Sequence, residues 1–236
     1  VTKSRRKKQY IETREGPWLA IQDTDIIPLA NGDISDYQIS WRSKQYNLQR
    51  EDGILGLTRL KGPKATAAHK SLLLALEDER PSVRVSALKA LPEVATQKSD
   101  ELFDWLSVLL DDKDVSVRQA ASEALAISAP VFPSGVDIII HNELRSFEPN
   151  RSKQAFRGLE SLCEAWPEVA CDHIDELFLE TDAELRLKGA KLLGRVLVKS
   201  GHIGWDLVSW ALNDDDPRVR RAAAKTLPKL SKVDTR

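Results

Sequence analysis

The chain has 236 residues, 42% hydrophobic and 30% charged, with 35 Lys and Arg against 36 Asp and Glu and a formal net charge of −1. That length allows one large domain or two small ones, and the longest apolar runs, residues 136–140 and 106–110, fall far short of the roughly 20 residues a membrane span needs. Two cysteines, Cys163 and Cys171, cannot build a disulfide framework, so the cytoplasm is the expected compartment; a start at Val1 and the lack of any Met read as an engineered or an excised segment.

In chain order, residues 1–16 form a basic flexible N-terminus, with Lys3, Arg5, Arg6, Lys7 and Lys8 most simply read as a solvated end. Residues 17–46 come next as a cap or junction. The stretch 17–27, Pro-Trp-Leu-Ala-Ile-Gln-Asp-Thr-Asp-Ile-Ile, has extended-chain character and Asn31-Gly32 is a turn signal, so a short strand pair or extended cap is expected over the first hairpin.

From residue 47 to 236 a repeat of 34 residues governs the chain. Leu91, Leu125, Leu159, Leu193 and Leu227 share that spacing, as do Ala87, Ala121, Ala155, Gly189 and Ala223, and Arg84, Arg118, Arg186 and Arg220 obey it with one unit skipped. One step back, the same register finds Arg50, Gly53 and Leu57. Spacings of three and four within each unit are helical. Pro81, Pro149 and Pro217 mark helix starts, where a proline loses no hydrogen bond. Short acidic turns at 77–80, 111–114 and 213–216 separate two amphipathic segments per unit. Each unit is therefore a helical hairpin that cannot bury its apolar face alone, and consecutive hairpins must stack. Second helices are expected at about 47–61, 81–96, 115–128, 149–165, 183–200 and 217–232, first helices between them. A kink or altered stacking angle is expected in the unit at 130–148, where Pro130, Pro133 and Gly135 stand beside a β-branched run.

These residues resemble the HEAT-repeat family, in its short variety, whose units carry an acidic residue, a Val-Arg pair and spaced alanines ending in leucine. Asp78 with Val83-Arg84, Asp112 with Val117-Arg118 and Asp214 with Val219-Arg220 match, Leu185-Arg186 matches approximately, and the unit at Arg151-Ser152 departs. The resemblance implies an all-α fold, an α-solenoid of about six stacked hairpins behind a short extended or β-containing N-terminal cap, used as a scaffold or binding surface. Trp18-Leu19, Asp23, Ile26-Ile27, Trp41, Gln45 and Arg50 are also similar to the junction that precedes HEAT-like C-terminal repeats in thermolysin-like zinc aminopeptidases. The catalytic His-Glu-x-x-His of that family is missing: none of His69, His141, His173 or His202 has a second His four residues away. That kinship would make this chain the non-catalytic end of a larger enzyme.

No Gly-rich phosphate loop occurs. Cys163, Cys171 and His173 are the best soft-ligand trio, but their gap bridges two helices and a fourth ligand is missing. They read as two buried thiols and a surface histidine, so no metal, no cofactor and no enzymatic activity are expected. Trp105, Trp166, Trp205 and Trp210 read as packing groups on first helices. The Asp and Arg recurring at the hairpin turns read as a ladder in which one unit's Arg reaches the next unit's Asp.

Charge is segregated along the repeat. The second-helix spans sum to +13 and the intervening segments to −16. In HEAT-like superhelices the second helices line the concave side, and the resemblance thus puts Arg186, Lys188, Lys191, Arg195, Arg218, Arg221 and Lys225 on or near an inner groove. Arg218 and Arg220 sit at a helix start, where the dipole disfavours cations, so dipole preference does not account for them. The expected function is a non-catalytic scaffold that binds an acidic segment of another protein on this basic surface, with nucleic-acid backbone binding by the same side chains as the alternative.

Overall fold

In a computed structural model the described residues are 15–96, 99–146, 148–200 and 204–230. The basic run at 3–8 lies outside them. The chain divides into two compact units, the first ending at Ala124 and the second beginning at Leu125, so that the division falls inside one helix. No helix among the described residues is long and apolar enough to cross a membrane.

The first unit opens on helical turns where the sequence suggested extended chain. A 3-10 turn spans Pro17–Ala20 and α1 spans Ile26–Asn31. The reason is the spacing of Ile26, Leu29 and Ala30, which is helical and fully buried, while Pro28 sits in the first turn, where its missing N–H costs nothing. Asn31-Gly32 is the end of this helix, not a hairpin turn: Gly32 takes φ 85 as its left-handed cap. The strand pair comes later, β1 at Tyr37–Trp41 against β2 at Lys44–Leu48, antiparallel in the register Tyr37↔Leu48 to Trp41↔Lys44. Its two-residue loop is Arg42-Ser43, both at positive φ (49 and 62), a conformation usually left to Gly or Asn. Arg42 stacks 4.3 Å from the Trp41 ring centroid, and Trp41 meets Tyr46 edge-on at 6.0 Å.

The hairpins of the first unit follow: α2 (Arg50–Gly56), α3 (Ala65–Leu76), α4 (Pro81–Val94), α5 (Asp100–Leu109) and α6 (Val115–Ser128), the last running across the division. First helices α1, α3 and α5 pack side by side, and second helices α2 and α4 form the other layer. The repeated small residue is where the layers approach most closely. A Cβ on Gly53 would stand 2.5 Å from the Ala30 backbone nitrogen, and Ala87 and Ala121, one and two periods on, are fully buried.

The second unit contains α7 (Pro133–Glu143), α8 (Pro149–Ala165), α9 (Pro167–Phe178), α10 (Ala183–Ser200), α11 (Trp205–Leu212), α12 (Pro217–Ala224) and α13 (Leu227–Leu230). Pairs α7/α8, α9/α10 and α11/α12 are the hairpins, with α8, α10 and α12 adjacent in one layer and α9 and α11 in the other. Pro133 opens α7 as its first residue, so the proline expected to break this unit starts its helix instead. The last span is shorter than expected. Pro228 has no N–H to give Ala224, so the α12 ladder stops and Thr226 Oγ bonds the Ala223 carbonyl at 2.7 Å.

Arg and Asp knit the hairpins together as the sequence suggested. Arg84 Nη1 donates to the carbonyls of Asp78 (2.7 Å) and Glu79 (3.0 Å) in its own turn, while Nε and Nη2 grip both Asp112 oxygens at 2.9 Å. Arg186 repeats this with the carbonyls of Glu180 and Thr181 and the Asp214 carboxylate; Arg50 pairs with Asp78. Each acidic partner has a second task, accepting a backbone N–H two residues on: Asp78 from Arg80, Asp112 from Asp114, Asp214 from Asp216. One guanidinium thus satisfies its own turn's carbonyls and locks the next hairpin's turn, a bidentate use that only Arg allows.

Candidate functional site

The basic side chains singled out from the sequence all belong to the second unit. Helical spacing sorts them. On α10, Lys188, Lys191 and Arg195 lie on the face opposite the fully buried Ala190, Leu193 and Leu197, whereas Arg186 projects the other way into the ladder. There it borders a shallow depression of about 550 Å³, beside Glu180, Asp214, Asp215 and the exposed ring of Trp210. On α12, Arg218, Arg221 and Lys225 share the exposed face, away from buried Val219 and Ala223. The adjacent α8 adds Lys153 and Arg157, both exposed, and Glu160 and Glu164. Arg186 therefore does not belong to the open face.

Part of that face is neutralised internally. Arg195 bonds Glu164 at 3.1 Å and lies 3.4 Å from Glu160. Arg218 pairs with Asp216 at 2.8 Å and with Glu184 on α10, and these hydrogen bonds raise its pKa and hold the Asp216 carboxyl down at about 2. The Lys188 ammonium stands 4.5 Å from the Phe156 ring centroid. Arg221 donates Nε to the Pro217 carbonyl at 3.1 Å. Among the described residues Lys191, Arg221 and Lys225 have no carboxylate partner, and all three are exposed. With Lys153 they are cations of this surface that no carboxylate among the described residues holds.

Cys163 and Cys171 are buried free thiols, as expected. Burial pushes Cys163 up to about 12 and Cys171 up to about 11, so neither is a ready thiolate nucleophile or ligand. His173 corrects its reading: it is 4% exposed, and a ring nitrogen bonds Asp137 at 2.7 Å. Sequence gave no hint, because Asp137 lies on a different helix 36 residues away. The tryptophans also differ from expectation, with Trp166, Trp205 and Trp210 at 44%, 39% and 62% exposed, more open than a packing role requires.

Comparison with known proteins places these helices. Residues 70–138 match the model of HEAT repeats and residues 207–233 match that of the HEAT repeat. Similar solved structures include the archaeal HEAT-like repeats protein from Thermococcus onnurineus NA1 (16% identity, 88% of this chain and 86% of that one, TM-score 0.48). A designed armadillo repeat protein is similar at 14% identity, covering 89% of this chain and 100% of that one, with a TM-score of 0.45. An engineered protein matches at 18% identity over 90% of this chain and 98% of the other, TM-score 0.43. No curated protein matches the sequence. The repeat fold is typical of protein-interaction scaffolds and is generally non-catalytic. Within its run of 34-residue hairpins, residues 70–138 and 207–233 are thus HEAT repeats.

Proposed function

We propose that the chain is a non-catalytic scaffold that captures an acidic segment of a partner protein on the open face of α8, α10 and α12. The observation that carries this reading is the excess of exposed cations there. Exposed Lys191, Arg218, Arg221 and Lys225 and half-buried Lys188 and Arg195 face outward on two neighbouring helices, against the carboxylates of Glu160, Glu164, Glu184 and Asp216. Such a surface raises the local concentration and encounter rate of acidic chains. Affinity comes from several modest contacts, with Lys191, Arg221 and Lys225 contributing most because binding breaks no existing ion pair.

The test is charge reversal confined to those three, Lys191→Glu, Arg221→Glu and Lys225→Glu together. Arg186 is left alone, since reversing it would break the ladder. Binding of a fluorescent Glu-rich peptide and of random duplex DNA is followed by anisotropy as salt is raised from about 50 to about 200 mM. Peptide binding by the parent and its loss in the folded triple variant support the proposal. Equal peptide binding by both chains removes it. Micromolar DNA binding with a steep salt slope, in place of peptide binding, would transfer the surface to nucleic acid.

A further inference from the structure

Two turns of helix in the second unit bring together a set of side chains that the ladder does not use. Asp137 and His141 stand one turn apart on α7, and His173 and Glu176 one turn apart on α9. A ligand atom from each of His141, His173 and Glu176 lies within 4.8 Å of the others. The Asp137 Oδ1 is 2.7 Å from His173 Nε2, and His141 Nδ1 is 3.5 Å from Glu176 Oε2. Among the described residues this is the one such group of three metal-ligating side chains. From it we infer that His141, His173 and Glu176 form a binding site for a divalent transition-metal ion of the zinc class, with Asp137 holding the His173 ring from behind through Nε2.

A second, independent observation points the same way. His173 is 4% exposed, with one ring nitrogen on Asp137 and Nδ1 buried without any hydrogen-bond partner. A buried imidazole nitrogen left empty is costly and uncommon, and it gives the ring unused capacity as a ligand. Two imidazoles with a carboxylate suit zinc and its first-row neighbours; an all-oxygen set would suit magnesium or calcium instead. Arg145 is compatible with this. Its Nη2 holds Glu176 Oε2 at 2.9 Å and its Nε bonds Glu180, and a carboxylate has lone pairs enough to take a guanidinium and a cation at once. Arg145 then orients the ligand, as outer partners do in metal sites.

The ion would join the first helices of consecutive hairpins where the ladder has no rung. The position one period after Arg118, which would face residue 180, holds Ser152.

The full chain is titrated with Zn2+ by calorimetry and with Co2+ by visible absorption, beside His141→Ala, a variant at an exposed position whose fold is checked by circular dichroism. The parent takes up one equivalent, with Co2+ bands of a nitrogen and oxygen site and no thiolate charge-transfer band. Zn2+ raises its melting temperature, and His141→Ala loses at least about tenfold in affinity along with the thermal shift. Absence of Zn2+ binding up to about 0.1 mM, equal binding by His141→Ala, or a thiolate band from Cys163 and Cys171 would each overturn the site.

Discussion

The ladder makes a quantitative claim that two arginines at the same repeat position can test. Arg84 is 6% exposed and makes four hydrogen bonds, two of them to both oxygens of the half-buried Asp112. Arg118, one period later, bonds the carbonyls of Asp112 (2.6 Å) and Lys113 (3.2 Å) in its own turn, and among the described residues no carboxylate grips it. Arg84→Met keeps the aliphatic stem and removes the guanidinium. Asp112 is then left as a poorly solvated charge held only by the Asp114 N–H, and stranding one partner of a buried pair costs about 3 kcal/mol or more. Arg118→Met forfeits two bonds to carbonyls at the surface, where water replaces them, and costs about 1 kcal/mol. In urea unfolding with an unchanged m-value, Arg84→Met should fall further than Arg118→Met by about 2 kcal/mol, and its melting point should drop by about 6 to 12 °C. A double-mutant cycle with Asp112→Asn should then show strong coupling to Arg84. Equal losses in the two arginine variants, or additivity in the cycle, would refute the ladder as a source of stability.

Further consequences are sharp. Gly53→Ala should destabilise by about 1 to 3 kcal/mol, because the new Cβ would sit 2.5 Å from Ala30 N and 2.8 Å from the Leu29 carbonyl carbon; helix propensity alone predicts a gain of about 1 kcal/mol, so a raised melting point would disprove the close crossing. Hydrogen bonds from Arg186 chiefly hold Asp214 below its ordinary value of 3.8. A depressed folded-state pKa gives stability that is present above the unfolded value and lost as pH falls through the folded one. The melting temperature of the parent should therefore drop below about pH 4, more steeply than that of Asp214→Asn; parallel acid limbs would contradict the pairing.

The repeat carried most of the fold into view. A fixed period of 34 marks second helices through their small-residue column and their prolines, and α8 and α10 have the bounds expected, 149–165 and 183–200. Legibility failed where no period operates. Ahead of the repeat, 17–27 looked extended because Ile and Trp favour strands, yet burial of Ile26, Leu29 and Ala30 against α2 and α3 decided for helix. The β-hairpin was displaced in expectation because its loop, Arg42-Ser43, has no glycine to announce it. For the surface, sequence supplied the charge and the helix but not the direction of each side chain. Arg186 and Lys188 are two residues apart on α10 and point to opposite sides, one into a rung and the other outward. The His141, His173 and Glu176 cluster could not be read at all, since its members come from two helices with no shared motif.

That cluster and the broken ladder have a common origin in the unit that departs from the pattern. At most positions a turn Asp and a second-helix Arg, 28 residues apart, join neighbouring hairpins. Once Ser152 occupies the arginine position, 28 residues before Glu180, the α7/α8 and α9/α10 hairpins need other links, and the cross-connections move toward the first helices. Arg145 reaches Glu176 and Glu180, Arg151 turns back to Glu143 at 2.9 Å, and Asp137 takes His173. An arginine from the turn and an imidazole–carboxylate pair thus stand in for the missing rung at this junction. A periodic Arg–Asp pair is saturated by its own partners and can only hold the stack together. His173, with an empty ring nitrogen, still has room for a ligand, which makes the irregular junction chemically more versatile than the regular rungs around it.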